Sequence, residues 1–256
     1  VIAIIGGSGL TRLEGIERGA ELHLETRWGP PSGPILEGLW NEVPTLFLPR
    51  HGARHSLPPH RINYRANLCA LKEAGARAVL AVAATGGIGS DCQPGALVVP
   101  DQLIDYTWGR DGTFFEGGDA PVVHVDFSEP YDRALREALI DAAAQQAIPL
   151  IAGGVYGCTQ GPRLETAAEI RRMAHDGCTL VGMTGMPEAA LARELGLPYA
   201  CLSVVANRAA GLDPQSRVIS IEEIHRVLAC GMDIARRVLA RALVLIHAKS
   251  SDPARA

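Results

Sequence analysis

Aromatic residues make up only 5% of this 256-residue chain, and its formal net charge is −4. Neither the stacking platforms nor the basic surface of a general nucleic-acid binder is on offer. Long apolar runs are missing too. The apolar start, Val1 to Ile5, gives way to glycine after five residues, too short for a signal peptide or a membrane span. The six cysteines (Cys69, Cys92, Cys158, Cys178, Cys201, Cys230) show no C-x-x-C spacing and mostly sit among apolar neighbours. That pattern argues against a zinc site or a disulfide framework and predicts reduced, buried thiols in a cytoplasmic protein. Several catalytic signatures are absent as well. The glycine turn Gly6-Gly7-Ser8-Gly9 is not followed by G-K-[ST], lacks the G-x-G-x-x-G spacing of a dinucleotide fold, and has Leu10 where a G-x-S-x-G elbow needs its second glycine.

What remains is the composition of a soluble globular protein, 47% hydrophobic and 20% charged. A first strand over Val1–Ile5 runs into the glycine turn. Residues 21–28 and 34–40 flank Gly29-Pro30-Pro31-Ser32-Gly33 as a strand–turn–strand pattern, and Thr45–Leu48 is a further strand. Helical spacing covers 62–75, 129–147, a segment from 166, 187–196 and 220–247; strands are predicted at 78–84, 96–99, 150–155, 179–181 and 199–205. Strands alternating with helices after an early hairpin predict an α/β protein with a mixed sheet. No linker divides the chain, so one domain is expected over 1–249, with 250–256 as a frayed, disordered tail.

Four places carry the chemistry of an anion site. The Gly6–Gly9 turn offers backbone N–H groups and the Ser8 hydroxyl. Arg50-His51-Gly52 follows a strand, and a guanidinium suits bidentate contact with oxyanions. Thr85-Gly86-Gly87 ends another strand. Thr184 stands in Met183-Thr184-Gly185-Met186-Pro187-Glu188 at a strand-to-helix junction, where free N–H groups favour an anion. In open α/β sheets ligands collect at such strand ends. His51, His55 and His60 raise a zinc alternative, but Pro58-Pro59 makes the segment a loop and no acid lies within it. No metal is expected.

Glu165 poses a separate question. Thr166 and Glu169 already form a capping box, so the carboxylate just before them is either a solvated loop acid or a ligand group.

The chain resembles the trimeric purine nucleoside phosphorylases, and within them the methylthioadenosine phosphorylase branch. The resemblance runs over nearly the whole length and rests on GGSGL (6–10), RHG (50–52) with NYRAN (63–67), ATGG (84–87), GPRLET (161–166), GMTGMPEAALARELGLPYA (182–200) and SVVAN (203–207). It implies a nucleoside-phosphorylase-like single domain whose central mixed sheet is partly barrel-like and flanked by helices. It also implies phosphorolysis, with no cofactor and with inorganic phosphate as co-substrate. By position, phosphate is expected on Ser8, Arg50, His51, Thr85 and Thr184, and the ribose against Met183. The purine is expected among Thr85, Gly86, Gly87, Leu164, Glu165 and Asn207. Catalysis is expected from Asn207, Glu165 and His51, and His124 is expected in the pocket of a neighbouring subunit of a homotrimer.

Two departures from the adenine-specific branch bear on the base. Asn207 stands where the resemblance leads one to expect an aspartate, and Ala209 where a second one is expected. Glu165 replaces a small polar residue. A carboxylate accepts from the N1–H of a 6-oxopurine, and an amide can reach O6 and N7. A hypoxanthine- or guanine-type base is therefore expected. On the 5′ side, Ile221 and Ile224 are expected as an apolar wall, which favours a methylthio group over a hydroxyl. Together these features point to S-methyl-5′-thioinosine; inosine or guanosine, a non-catalytic nucleoside-binding role and a hydrolase are the alternatives.

Overall fold

The computed structural model describes residues 1–118, 122–213 and 219–250. The chain runs β1 (Ile2–Gly6), β2 (Glu17–Leu22), β3 (Ile35–Trp40), β4 (Val43–Pro49), α1 (Tyr64–Glu73), β5 (Ala78–Gly87), β6 (Leu97–Val99), β7 (Gln102–Asp105), α2 (Arg133–Gln145), β8 (Ile151–Ala152), β9 (Val155–Cys158), α3 (Ala167–His175), β10 (Leu180–Gly182), α4 (Gly185–Glu194), β11 (Tyr199–Arg208) and α5 (Ile221–Ser250). The expected tail lies outside the described residues except for Ser250, which closes α5.

Strands β1, β5 and β11 are largely apolar because both of their faces are covered, with Thr85 near the end of β5 and Asn207 and Arg208 closing β11. Ile2 and Ile4 of β1, Leu80 and Val82 of β5, and Leu202 and Val204 of β11 pack with α2 and α5 on one face. The alternate residues Ala3, Ile5, Val79, Ala81 and Cys201 pack with α1 and α4 on the other. The sheet is mixed: β1 runs parallel to β4 and β5, and β11 parallel to β5, while β10 joins β5 antiparallel.

The site depends on how β5 is shared. One edge pairs with β11 from Val79 to Gly87. The other edge pairs with β1 only over Ala78–Ala81 and with β10 only over Gly86–Gly87. Residues 82–85 are left without a strand partner on that edge, and the sheet forks there. Among the described residues no pairing closes the sheet, so the barrel-like character implied by the resemblance stops at an open, branched sheet.

The early hairpin differs from its sequence expectation. The first strand is Glu17–Leu22 rather than 21–28, because Thr26 and Gly29 exchange backbone bonds in a tight turn. A second hairpin joins β3 to β4 through Asn41 and Glu42, both at positive φ (49° and 63°), as a two-residue turn with matching twist requires. The strand expected at 150–155 is broken by Gly153 and Gly154 into β8 and β9, and β7 was not foreseen. Two helix starts meet expectation, with Thr166 and Glu169 forming the full capping box of α3 and Ser220 accepting from the Glu223 N–H before α5, whereas α2, expected from 129, starts only at Arg133 because Asp132 caps it.

α5 approaches β11 through Gly231, where an added Cβ would lie 2.5 Å from Val204 Cγ1. On propensity alone Gly231→Ala would stabilise the helix by about 1 kcal/mol. The contact reverses the sign, and urea unfolding should show a net loss of about 1–3 kcal/mol.

Candidate active site

The fork in the sheet opens into a cavity of about 760 Å³. The edge of β5 supplies Ala83, Ala84, Thr85 and Gly86 to its floor, and the loops after β1, β4, β9 and β10 supply the walls together with α5.

One group of lining residues comprises Gly7, Ser8, Arg50, His51, Thr85 and Thr184. The Gly6–Gly9 turn must be bare: a Cβ on Gly7 would stand 2.5 Å from the Val82 carbonyl oxygen and 2.9 Å from Arg50 Nη1. That carbonyl belongs to the unpaired stretch of β5, and Arg50 Nη1 donates to it at 2.8 Å. Arg50 also makes a two-pronged pair with Glu188, Nε to Oε2 and Nη2 to Oε1, each at 2.7 Å. Both side chains are almost fully buried, 1% and 0% exposed. Burial alone would lower the pKa of the guanidinium, but the Glu188 carboxylate more than reverses this and holds it raised. Tyr199 adds a hydroxyl bond to Glu188 Oε1 at 2.8 Å. One N–H on each of Nη1 and Nη2 is left over for another acceptor.

His51 donates from Nδ1 to the Leu57 carbonyl at 2.8 Å, since a carbonyl can only accept. Its pKa is pushed down to about 4, first by burial and then by the Arg50 charge. The ring is therefore neutral near pH 7 and carries an acceptor at Nε2. His55, with φ at +52°, stacks on His51 at 4.5 Å between ring centroids and meets the Ser8 hydroxyl at 2.9 Å. Thr184 opens α4 but makes no capping bond with its side chain.

The same cavity is lined by Leu164, Glu165, Met183 and Asn207. Asn207 owes its position to a register break between Val205 and Asn207 on β11, the kind of bulge that re-aims a side chain. One of its amide hydrogens bonds the Arg208 carbonyl at 2.7 Å, which leaves the second hydrogen and Oδ1. Glu165 accepts from the Thr159 hydroxyl through Oε1 at 2.6 Å. Oε2 is free to accept from elsewhere, and the capping work falls to Glu169.

The third wall comes from α5, where Ile224, Leu228 and Met232 recur at every fourth position and His225, Asp233 and Arg236 flank them. Ile221, expected in this wall, is 55% exposed and does not line the cavity. Gly87 does not line it either; an added Cβ there would run into the Cys92 carbonyl. His124 is exposed and outside the cavity within one subunit. Glu188, Thr159, Leu228 and Met232 carried no assignment in the sequence reading. Glu188 had a signal, an acid in the first turn of a helix beside the Thr184 junction.

A cavity lined by a guanidinium, hydroxyls, a carboxylate, a carboxamide and an apolar flank is suited to a small ligand with polar groups of both kinds. Residues 1–243 match the family described as the Phosphorylase superfamily, and the chain belongs to it. It is 53% identical over 243 residues to the "Probable S-methyl-5'-thioinosine phosphorylase" of Pseudomonas syringae pv. tomato, covering 95% of this chain and 98% of that one. It is 44% identical over 227 residues to the "Probable 6-oxopurine nucleoside phosphorylase" of Moorella thermoacetica, covering 89% and 86%. Among solved structures, methylthioadenosine phosphorylase from Schistosoma mansoni in complex with adenine superposes with a TM-score of 0.92 at 32% identity, covering 96% of this chain and 92% of that one.

Removing one member of a buried ion pair leaves an uncompensated charge. Glu188→Ala should therefore destabilise the protein by about 3–5 kcal/mol in urea unfolding. The loss should greatly exceed that from removing the exposed Glu137, which pairs with Arg133 on the surface of α2.

Proposed function

We propose that the protein is a purine nucleoside phosphorylase that cleaves S-methyl-5′-thioinosine with inorganic phosphate to hypoxanthine and 5-methylthioribose 1-phosphate. The observation that carries this is the sharing of one cavity by Glu165 and Asn207 with Ser8, Arg50, His51, Thr85 and Thr184. Phosphate sits on the second group, held by the remaining N–H groups of Arg50, the turn at Ser8 and the two threonine hydroxyls. The neutral Nε2 of His51 accepts from a protonated phosphate oxygen. Ribose lies against Met183. A phosphate oxygen attacks C1′, the C1′–N9 bond breaks, its electron pair passes into the purine, and the departing base takes up a proton from solvent that balances the one the phosphate gives up. Asn207 and Glu165 bind the base edge as this charge builds, which is where fixed donors and acceptors act most strongly. No covalent enzyme intermediate is required, in keeping with the missing elbow.

The base preference is supported by the pairing of an acceptor, Glu165 Oε2, with an amide. The 5′ preference is supported by Ile224, Leu228 and Met232, which offer dispersion contacts and no hydrogen bond to a hydroxyl. Inosine or guanosine as principal substrate is the second possibility, and the observation in its favour is that His225, Asp233 and Arg236 also face the cavity.

We infer further a cytoplasmic homotrimer without cofactor. All six cysteines are unpaired, as in a reducing compartment, and no described helix is long and apolar enough to cross a membrane. No strand or helix is described between β7 and α2, and that segment displays Trp108 at 72%, Val122 at 74% and Val123 at 40% exposure. A second copy of the chain would cover this apolar surface and bring His124 to the next subunit's cavity.

Comparison of kcat/KM for methylthioinosine, inosine, guanosine and methylthioadenosine at fixed phosphate should rank methylthioinosine first and methylthioadenosine last. Base release without a phosphate requirement would make the protein a hydrolase, and binding without release would make it a sensor. Asn207→Asp and Glu165→Ala should each lower kcat/KM on 6-oxopurine nucleosides, by on the order of 10²–10⁴-fold. Unchanged rates would remove the residue from the base site.

Native mass spectrometry should give three times the subunit mass, and Trp108→Glu should shift it toward monomer. A monomeric native protein would overturn the assembly.

A further inference from the structure

Arg110 belongs to none of the groups assigned above, yet it makes the densest set of contacts near the cavity. It arrives on the irregular segment after β7, just past Gly109, whose φ of +64° turns the chain inward. The segment is tied down on both sides. Trp108 N–H donates to Gln160 Oε1 at 3.1 Å, and the Thr113 hydroxyl and Phe114 N–H donate to the Glu194 carboxylate at the end of α4, each at 2.7 Å. The guanidinium then spreads over six neutral oxygens. Nη1 donates to the Met183 carbonyl at 2.8 Å and the Met186 carbonyl at 2.5 Å, with the Tyr64 hydroxyl at 3.3 Å. Nη2 donates to the carbonyls of Thr159 at 3.2 Å and Gln160 at 2.8 Å, and Nε to Gln160 Oε1 at 3.2 Å.

Five of these oxygens come from two separate segments, and the sixth, the Tyr64 hydroxyl, comes from the start of α1. Met183 and Met186 bracket Thr184, the threonine that lines the cavity with Ser8 and Arg50. Thr159 and Gln160 begin the loop that carries Glu165, and the Thr159 hydroxyl itself holds the Glu165 carboxylate. One planar fork therefore spans the loop that recognises the base and the loop that receives the anion. A lysine has no rigid fork with which to bridge them. The separation of the two loops matters because the attacking oxygen and the leaving base must lie on opposite sides of one carbon, and a misplacement of about 1 Å can cost ~10²-fold in rate.

We infer that Arg110 is a positioning residue that fixes the distance between the base-binding and phosphate-binding loops, and so governs turnover without touching substrate. The inference rests on the phosphorolysis proposed above.

The test compares the native protein with Arg110→Met, Arg110→Lys and Arg110→Ala in methylthioinosine phosphorolysis, alongside binding of phosphate alone and hypoxanthine alone. Arg110→Met should lose ~10²-fold in kcat while the affinity for each half-ligand stays within about threefold, because each loop keeps its own recognition groups. Arg110→Lys should recover only a minor part of kcat. Free guanidinium ion should raise the rate of Arg110→Ala in a saturable way and leave Arg110→Met unaffected.

A folded Arg110→Met with kcat within about threefold of native overturns the inference. So does a loss of half-ligand affinity in proportion to kcat, which would mark a general collapse of the site. If Arg110→Met does not fold, the same split between kcat and half-ligand binding in Arg110→Lys decides the matter. Failure of the native protein to release base with phosphate removes the underlying reaction, and the inference with it. A native protein that does so while the variants match it removes the inference alone.

Discussion

The site is organised around a positive charge buried where the sheet divides. Strand β5 loses its partner on one edge between β1 and β10, which would strand the Val82 carbonyl. Arg50 takes up that carbonyl, and Glu188 takes up Arg50. A buried guanidinium with no counter-charge would be strongly destabilising, whereas a fully hydrogen-bonded pair is tolerated. The arrangement also sets the character of the proposed phosphate site. With Glu188 cancelling most of its charge, Arg50 would offer the phosphate of the proposed reaction two directed N–H groups more than a net positive field, and in that reading geometry, rather than net charge, does most of the selecting.

Another part of the cavity wall is built by local irregularities in otherwise regular elements. A bulge in β11 after Val205 turns Asn207 inward, and an exact continuation of the strand would have sent it to the other face. Glu165 stands one residue outside α3 because the helix is already capped by Thr166 and Glu169, so its carboxylate is available to Thr159 and to a ligand. The oddity visible in the sequence, one acid more than the cap requires, therefore has a structural counterpart: the extra acid points into the cavity that also holds Asn207.

Much of this was legible from the sequence because it depends on short-range chemistry. The capping box of α3, the glycine turn and the largely apolar strands β1, β5 and β11 each leave a local pattern. What escaped depends on distant partners. Glu188 reads as a helix-start acid, and only the fold brings it to Arg50. Arg110 reads as half of an Arg-Asp pair between two glycines in a stretch without periodicity; its six acceptors lie 46 or more residues away along the chain. The first hairpin strand was displaced because Thr26 and Gly29 close a turn inside the apolar pattern. Ile221 illustrates a different limit. It shares a helical stripe with Ile224, but at the first turn of α5 the stripe has already passed beyond the cavity rim.

α5 joins stability to selectivity. The face that packs on β11 through Gly231 continues around the helix into Leu228 and Met232, which are 5% and 1% exposed. A polar group introduced there to satisfy a 5′-hydroxyl would have to be buried beside the main apolar cluster, where an imperfectly paired hydroxyl or amide costs roughly 1–3 kcal/mol. An apolar 5′ substituent asks for no such partner; it extends the core by one more group. In the proposed binding mode, chemistry at the 5′ position would thus be constrained by the same packing that holds the last helix to the sheet, whereas the base edge would be read by loop and bulge residues that can change without disturbing the core. On this construction the two halves of substrate selection are separable, and a change of base preference should be far easier to reach by substitution than a change of 5′ preference.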